Sequence, residues 1–283
     1  MTASQHMVRA NGLRHRVLAD GPADGELFVL LHGFPEGAES WTHHVDALAR
    51  AGALAVAPDM RGYGLSDAPE GAEHYAMAQL VADVEGIVKS FGRERAHIAG
   101  HDWGAMVAWF FALEHPEMTS SLTALSVGHP AALAAAMADE DQRNRSRYID
   151  LFLMEGKAEQ VLEADGHRRL RAMLAPAIPP AVVEGFVRSL SRPGRLTAAL
   201  NYYRANLSRE SAWKGLQRNA RVTAPTTLLW GDSDPALGRA QAEGTHRFVT
   251  GPFRLEVLEG AGHWLQFERP DEVALALTAA LSK

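Results

Sequence analysis

The chain contains no cysteine, which excludes disulfides and thiolate metal sites and fits a reducing compartment. Long apolar runs are also missing. The longest, such as "MVAWFFAL", fall far short of the roughly 20 residues needed to span a bilayer. There is no positive excess either. A formal net charge of −6 gives no long-range attraction for nucleic acid or an anionic membrane. The opening residues, MTASQHMVRANG, lack the apolar centre of a secretory signal, so the expected setting is cytoplasmic. Repeats and low-complexity tracts are absent. One further absence is local. The stretch "HIAGHDWGAM" (97–106) has the rhythm of G-x-S-x-G, the strand-to-helix turn that presents a nucleophile, yet Asp102 stands where the serine belongs.

What is present is an ordinary globular composition, with 47% hydrophobic and 22% charged residues over 283 positions. That length suits one α/β domain with an insertion. Short apolar runs alternate with helical patterns, as in a mostly parallel twisted sheet covered on both faces. "LFVLL" (27–31), "LAVA" (54–57), "AHIAG" (96–100), "LTALSV" (122–127), "TTLLW" (226–230) and "RLEVLE" (254–259) read as strands. "MAQLVADVEGIVKSFG" and "AMVAWFFALEHP" read as helices, stopped by Gly92 and Pro116. The alternation breaks between Pro130 and Gln217, where "AALAAAMADEDQRNRSRYIDLFLM", "GKAEQVLEADGHRRLRAML" and "RLTAALNYYRANLSRE" all read helical. A stretch of that length is an insertion rather than a loop. The expected organisation is a core of residues 1–129 and 218–283, with a helical lid, 130–217, over the carboxyl edge where such sheets bind ligands.

Three chemically able residues follow strands in the order nucleophile, acid, histidine: Asp102 after "AHIAG", Asp234 after "TTLLWG" and His263 after "RLEVLEGAG". This is the chain order of the α/β-hydrolase fold. A carboxylate attacking an acyl carbon would give a mixed anhydride, a poor resting point. Attack on an sp3 carbon that bears a leaving group gives an ordinary alkyl ester instead. Hydrolysis of that ester needs an activated water, for which His263 is the candidate base, with an acid orienting its imidazole. Asp232 competes with Asp234 for that orienting role, since either acid of "GDSD" could point inward.

HGFP (32–35), DMRGYGLSD (59–67), GHDWG (100–104), WGDSDPAL (230–237) and GAGHW (260–264) together resemble the soluble epoxide-hydrolase branch of the α/β-hydrolase superfamily. The likeness runs over essentially the whole chain. It implies an α/β-hydrolase fold, with the lid inserted after the sixth strand, and Asp234 rather than Asp232 as the acid. It also implies an oxyanion hole from the N–H groups of Phe34 and Trp103, and a pocket wall including His32, Trp103 and Trp264. Two lid tyrosines polarise the epoxide oxygen in that family. "RYIDLFLMEG" resembles the segment carrying the first, and "LNYYRAN" the segment carrying the second. These roles then fall on Tyr148 and Tyr203, with Tyr202 as packing. A phenol remains protonated at neutral pH and can donate to an opening ring.

A halide leaving group would want N–H donors instead. Haloalkane dehalogenases share the Trp103 position, but their second donor is commonly an asparagine in the HG turn or another tryptophan. Here the turn has Phe34, and the lid offers only Trp213. A haloacetate dehalogenase would carry arginines after the aspartate, where this chain has "DWGAM". Haloalkane dehalogenase is therefore the alternative of like mechanism. A non-catalytic receptor for a small apolar ligand is the alternative of another kind, and the intact Asp–Asp–His set argues against it.

The remaining motifs read as structure. His43 and His44 are adjacent on a helix, point apart and read as surface. "GDSDP" is too short for a calcium loop, and "RGYG" lacks the context of a dinucleotide site. His101 supports the turn, Trp41 is wall, and His129 lies at the core-to-lid hinge without assigned chemistry. No cofactor and no metal are implied. The expected partners are a small apolar epoxide or halide and water. No motif speaks to substrate size or oligomeric state.

Overall fold

Strands whose side chains are apolar on both faces must be covered on both faces, and those strands occupy the middle of the molecule. In the computed structural model, which describes residues 3–175, 177–207 and 220–281, β3 (Leu27–Leu31) and β5 (Ala96–His101) are buried at every position. They belong to one eight-stranded sheet of order β1-β2-β4-β3-β5-β6-β7-β8, completed by β4 (Leu54–Pro58), β6 (Thr119–Leu125), β7 (Thr226–Gly231) and β8 (Phe253–Leu258). These six strands are parallel. They match the six runs expected from the sequence.

The sequence reading missed the first two strands, β1 (Ser4–Ala10), at one edge of the sheet, and β2 (Leu13–Asp20) beside it. They form an antiparallel hairpin closed by Asn11 and Gly12, both at positive φ. Asn-Gly is the preferred chemistry for such a two-residue turn. Strand β2 then pairs antiparallel with β4.

Helices α1 (Thr42–Arg50), α2 (Met77–Ser90) and α3 (Trp103–Glu114) connect the first half of the sheet. Helix α3 is apolar around most of its circumference, and ten of its residues, Trp103 through Ala112, are buried. Such a helix belongs inside a protein. The Trp109 indole N–H donates to the Val127 carbonyl at 2.9 Å, which ties α3 to the chain leaving β6.

Between β6 and β7 lies the helical insert. Its first pattern, expected as one long helical stretch, is three short helices: α4 (Pro130–Ala136), α5 (Glu140–Arg145) and α6 (Tyr148–Phe152). Asp139 causes one break by capping α5, accepting from the Asp141 N–H at 3.1 Å. Helix α7 (Lys157–Leu174) is interrupted at Ala164–His167, where Asp165, Gly166 and His167 all have positive φ. Helices α8 (Pro180–Leu190) and α9 (Arg195–Asn206) follow. Trp213 and the expected end of the lid at Gln217 lie outside the described residues.

The insert is bolted to the core by polar side chains. The Tyr202 hydroxyl donates to the Arg61 carbonyl at 2.8 Å, and Asn206 accepts from Met77 N–H at 2.8 Å. Gln142 accepts from the Gly238 N–H at 2.8 Å and donates to the Ala236 carbonyl at 2.9 Å. Helices α10 (Arg239–Gly244), α11 (Leu265–Glu268) and α12 (Pro270–Thr278) complete the core. His44, expected at the surface, is instead fully buried where α1 packs on α12, edge-on to Trp41 at 5.2 Å. Trp41 is likewise core rather than pocket wall. No described helix is long and apolar enough to cross a membrane, and the described residues hold no cluster suited to a metal ion.

Candidate active site

Sheet register decides which loops meet. Gly100 of β5 pairs with Leu31 of β3 on one side and Ala124 of β6 on the other, so the HG turn and the Asp102 turn leave the sheet side by side. Asp102 itself sits at φ 52°, ψ −120°, a conformation that costs a non-glycine residue about 1–3 kcal/mol. The neighbouring glycines make this turn possible. A Cβ on Gly100 would lie 2.2 Å from the Gly104 carbonyl oxygen, one on Gly104 2.1 Å from the Leu31 carbonyl oxygen, and one on Gly33 2.4 Å from the Asp102 Cβ.

The two carboxylate oxygens of Asp102 have different surroundings. Oδ1 accepts the Phe34 N–H at 2.8 Å. Oδ2 faces His263 Nε2 at 3.7 Å, an ion-pair distance rather than a hydrogen bond. Trp103 is the first residue of α3, so its N–H has no carbonyl one turn back within the helix. On its far side the His263 ring presents Nδ1 to Asp234 Oδ2 at 2.8 Å. The other oxygen of Asp234 accepts from the N–H groups of Ala236 at 2.7 Å and Leu237 at 3.0 Å. Of the two candidate acids, Asp234 is fully buried and meets His263. Asp232 is exposed and accepts from the Gly260 N–H at 2.8 Å.

Burial alone would depress the His263 imidazole, but Asp234 and Asp102 on either side raise it well above its ordinary value. Burial would likewise raise Asp102. The neighbouring His263, His101 and the Phe34 N–H outweigh it and hold the carboxylate below its usual range. His263 is thus held protonated beside an ionised Asp102.

Behind the triad, the His263 carbonyl accepts from His101 Nε2 and from Ser126 Oγ, both at 2.8 Å. His101 Nδ1 lies 2.8 Å from Glu36 Oε1, both side chains fully buried. Gln266 donates to the other Glu36 oxygen at 3.2 Å. Glu268 accepts from the N–H groups of Gly262 at 2.7 Å and Trp264 at 3.0 Å. Sequence reasoning missed Glu36, Ser126 and Glu268. Only Glu36 had a local signal, as the residue after HGFP.

The insert supplies the opposite wall. Tyr148, the first residue of α6, and Tyr203, on α9, have ring centroids 6.3 Å apart. Tyr203 stands edge-on to Trp103 at 5.1 Å and to Phe34 at 5.6 Å. Loss of hydration and the Asp102 charge raise both phenols, although only Tyr203 is buried and Tyr148 keeps 36% of its surface exposed, so both are protonated at neutral pH. Tyr202 points away and packs, as its bond to Arg61 requires.

Asp102, Tyr148, Tyr203, His263 and Trp264 border one cavity of about 1040 Å³, whose remaining lining is largely apolar. A second chamber of about 50 Å³ also borders Asp102, Tyr148 and Tyr203, with Trp103 in its wall. His32, expected in the pocket wall, lines neither. Its Nδ1–H donates to the Gly33 carbonyl at 2.9 Å and its Nε2 accepts from the Met60 N–H at 3.0 Å. Both nitrogens are spent fastening the HG turn to the end of β4.

Residues 26–270 match the family model of the alpha/beta hydrolase fold. Epoxide hydrolase A of Mycobacterium tuberculosis is 36% identical, over 99% of this chain and 97% of that protein. Among solved structures, epoxide hydrolase A from Mycobacterium thermoresistibile superposes with a TM-score of 0.86 at 34% identity, covering 99% of this chain and 98% of that one. A Bacillus megaterium epoxide hydrolase in complex with an inhibitor superposes with a TM-score of 0.89 at 27% identity, covering 98% and 100%. The chain belongs to the α/β-hydrolase superfamily, within its epoxide-hydrolase branch.

Proposed function

We propose that this enzyme opens epoxides to vicinal diols through an alkyl ester on Asp102. The observation that carries the reading is the facing arrangement across one cavity, with a carboxylate nucleophile flanked by His263 on one side and two protonated tyrosines on the other. Oδ2 is the attacking atom, because Oδ1 is already engaged by Phe34. As Oδ2 bonds to a ring carbon, that carbon's bond to the epoxide oxygen breaks. The leaving oxygen takes a proton from Tyr203 or Tyr148, a contribution typically worth about 10²–10⁴ in rate. The product is an ester and a hydroxyl.

Esterification also removes one of the two anions that hold the proton on His263, so its proton affinity falls when a base is needed. His263 gives up its proton, which reaches the tyrosinate by way of solvent, and neutral Nε2 then takes a proton from water as the resulting hydroxide adds to Cγ of Asp102. The oxyanion forms on Oδ1, where the Phe34 N–H already lies and the Trp103 N–H completes the hole. Collapse releases the diol and restores the carboxylate. The hydroxyl proton on Cγ passes to the departing alkoxide, and His263 keeps the proton it took from water, which restores the resting charges. The sum is epoxide plus water to diol, with no cofactor.

The test is turnover on a panel containing an aromatic epoxide, an aliphatic epoxide and a haloalkane. Diol is the expected product. Chloride release without diol would instead identify a haloalkane dehalogenase. In His263→Gln the ester is expected to accumulate and appear in intact mass as protein plus one substrate. An unmodified mass, under conditions where the parent enzyme turns over, would remove the two-step mechanism.

A further inference from the structure

We infer that this enzyme selects epoxides that carry a bulky group on one ring carbon only, with nothing larger than methyl on the other. The inference rests on the epoxide-opening reading above and concerns the shape of the same site. In an in-line displacement the nucleophile and the oxygen's proton donors lie on opposite sides of the reacting carbon. The two ring carbons lie across that line, so their substituents diverge to either side of it. Here the two sides are unequal. Both cavities border Asp102, Tyr148 and Tyr203, but one holds about 1040 Å³ and the other about 50 Å³.

The small chamber cannot widen cheaply. Its wall includes Met106 of α3, Val127, Leu133 of α4, Leu207 and Leu237, all buried, with partly buried Ile149 beside them. Close-packed side chains of this kind resist added volume, at a cost of about 1–3 kcal/mol for each overpacked site. Its chemistry is equally restrictive. The hydroxyl of Ser146, in the same wall, already accepts from Gln142 at 3.0 Å. A polar substituent placed there would lose water and find apolar surface. Hydrogen or methyl fits, and a phenyl ring does not. The large cavity faces α7 through Leu162 and Met173 and imposes no such limit.

Styrene oxide, trans-β-methylstyrene oxide and trans-stilbene oxide form a series in which only the second substituent grows. The first two are expected within about tenfold of each other in kcat/KM, the low end of what one methylene spans in an apolar pocket. Trans-stilbene oxide is expected to fall at least about 100-fold below styrene oxide. Stilbene oxide within tenfold of styrene oxide overturns the inference while leaving the epoxide reading intact. Absence of turnover on all three removes the epoxide reading, and the inference with it.

Leu133→Ala on α4 and Leu237→Ala in the loop after β7 enlarge the small chamber from two places. Each is expected to raise the stilbene-to-styrene ratio of kcat/KM about tenfold. Leu151→Ala, in the large cavity, should leave that ratio unmoved. If neither small-chamber variant shifts the ratio, or if Leu151→Ala shifts it equally, these walls do not set the selectivity.

Discussion

Asp102 has one oxygen tethered by an N–H and the other left toward an imidazolium, and this asymmetry separates the pH behaviour of the two half-reactions. In the proposed mechanism ester formation needs the carboxylate, which His263, His101 and the Phe34 N–H hold below its usual range. It should therefore be flat between about pH 6 and 9, far above any carboxylate titration. Ester hydrolysis, in the same mechanism, needs neutral His263. In the resting enzyme both acids raise that residue, but in the ester only Asp234 remains charged. Hydrolysis should therefore rise with pH across the same range and level off once the singly flanked imidazole is neutral, with ester accumulating on the acid side. Stopped-flow fluorescence is a suitable readout, because Trp103 adjoins the reacting carboxylate. Hydrolysis that is flat with pH, beside ester formation that rises with it, would reverse these assignments.

At the scale of elements, the turn between β5 and α3 depends on three glycines that let the helix approach the sheet edge. Gly104→Ala drives a methyl to 2.1 Å from the Leu31 carbonyl oxygen, against backbone that cannot rotate away. The expected cost is about 1–3 kcal/mol, read as a lowered urea midpoint, with turnover lost faster than stability because Asp102 moves with the helix. A variant of parental stability and activity would show that α3 has room to shift. The same elements show what could be read from sequence. Strands such as "LFVLL" and "AHIAG" were legible because burial on both faces leaves uniform apolar runs. Strands β1 and β2 were not, because "QHMVRA" and "RHRVLAD" carry charges on an edge hairpin, and only their Asn-Gly turn gave a signal. The three residues proposed as the triad stood in recognisable turns. Glu36 and His44 could not be placed, because each is buried by a partner from elsewhere: His101 and Gln266 for the one, α12 for the other. The break in α7 at Ala164–His167 had only one glycine to mark it.

For the whole molecule, histidine burial sets how stability responds to acid. His44 and His129 are pushed down to about 3 and about 4, chiefly by loss of hydration. A group whose folded pKa lies below its unfolded value of about 6.5 destabilises the fold as pH falls below that value, because the unfolded chain takes the proton first. Between pH 7 and 5 each of these two histidines should cost about 2 kcal/mol. His15 and His97 are lowered in the same direction, also chiefly by burial, and add to the loss. His263 has the opposite sign. Its folded pKa is raised, so its contribution is complete below about pH 6.5 and fades above, and it recovers at most about 1 kcal/mol over the interval. Asp102 and Glu36 are lowered, and carboxylates shifted that way lose their contribution only once pH falls below about 4.5. The net expectation is a fall of at least about 3 kcal/mol in unfolding free energy between pH 7 and 5, measured by urea titration at each pH. His44→Leu, which keeps apolar bulk between α1 and α12, should shrink that fall by about 2 kcal/mol. An undiminished acid loss in this variant would mean that His44 stays hydrated enough to titrate normally, and that acid enters the molecule somewhere other than the α1–α12 seam.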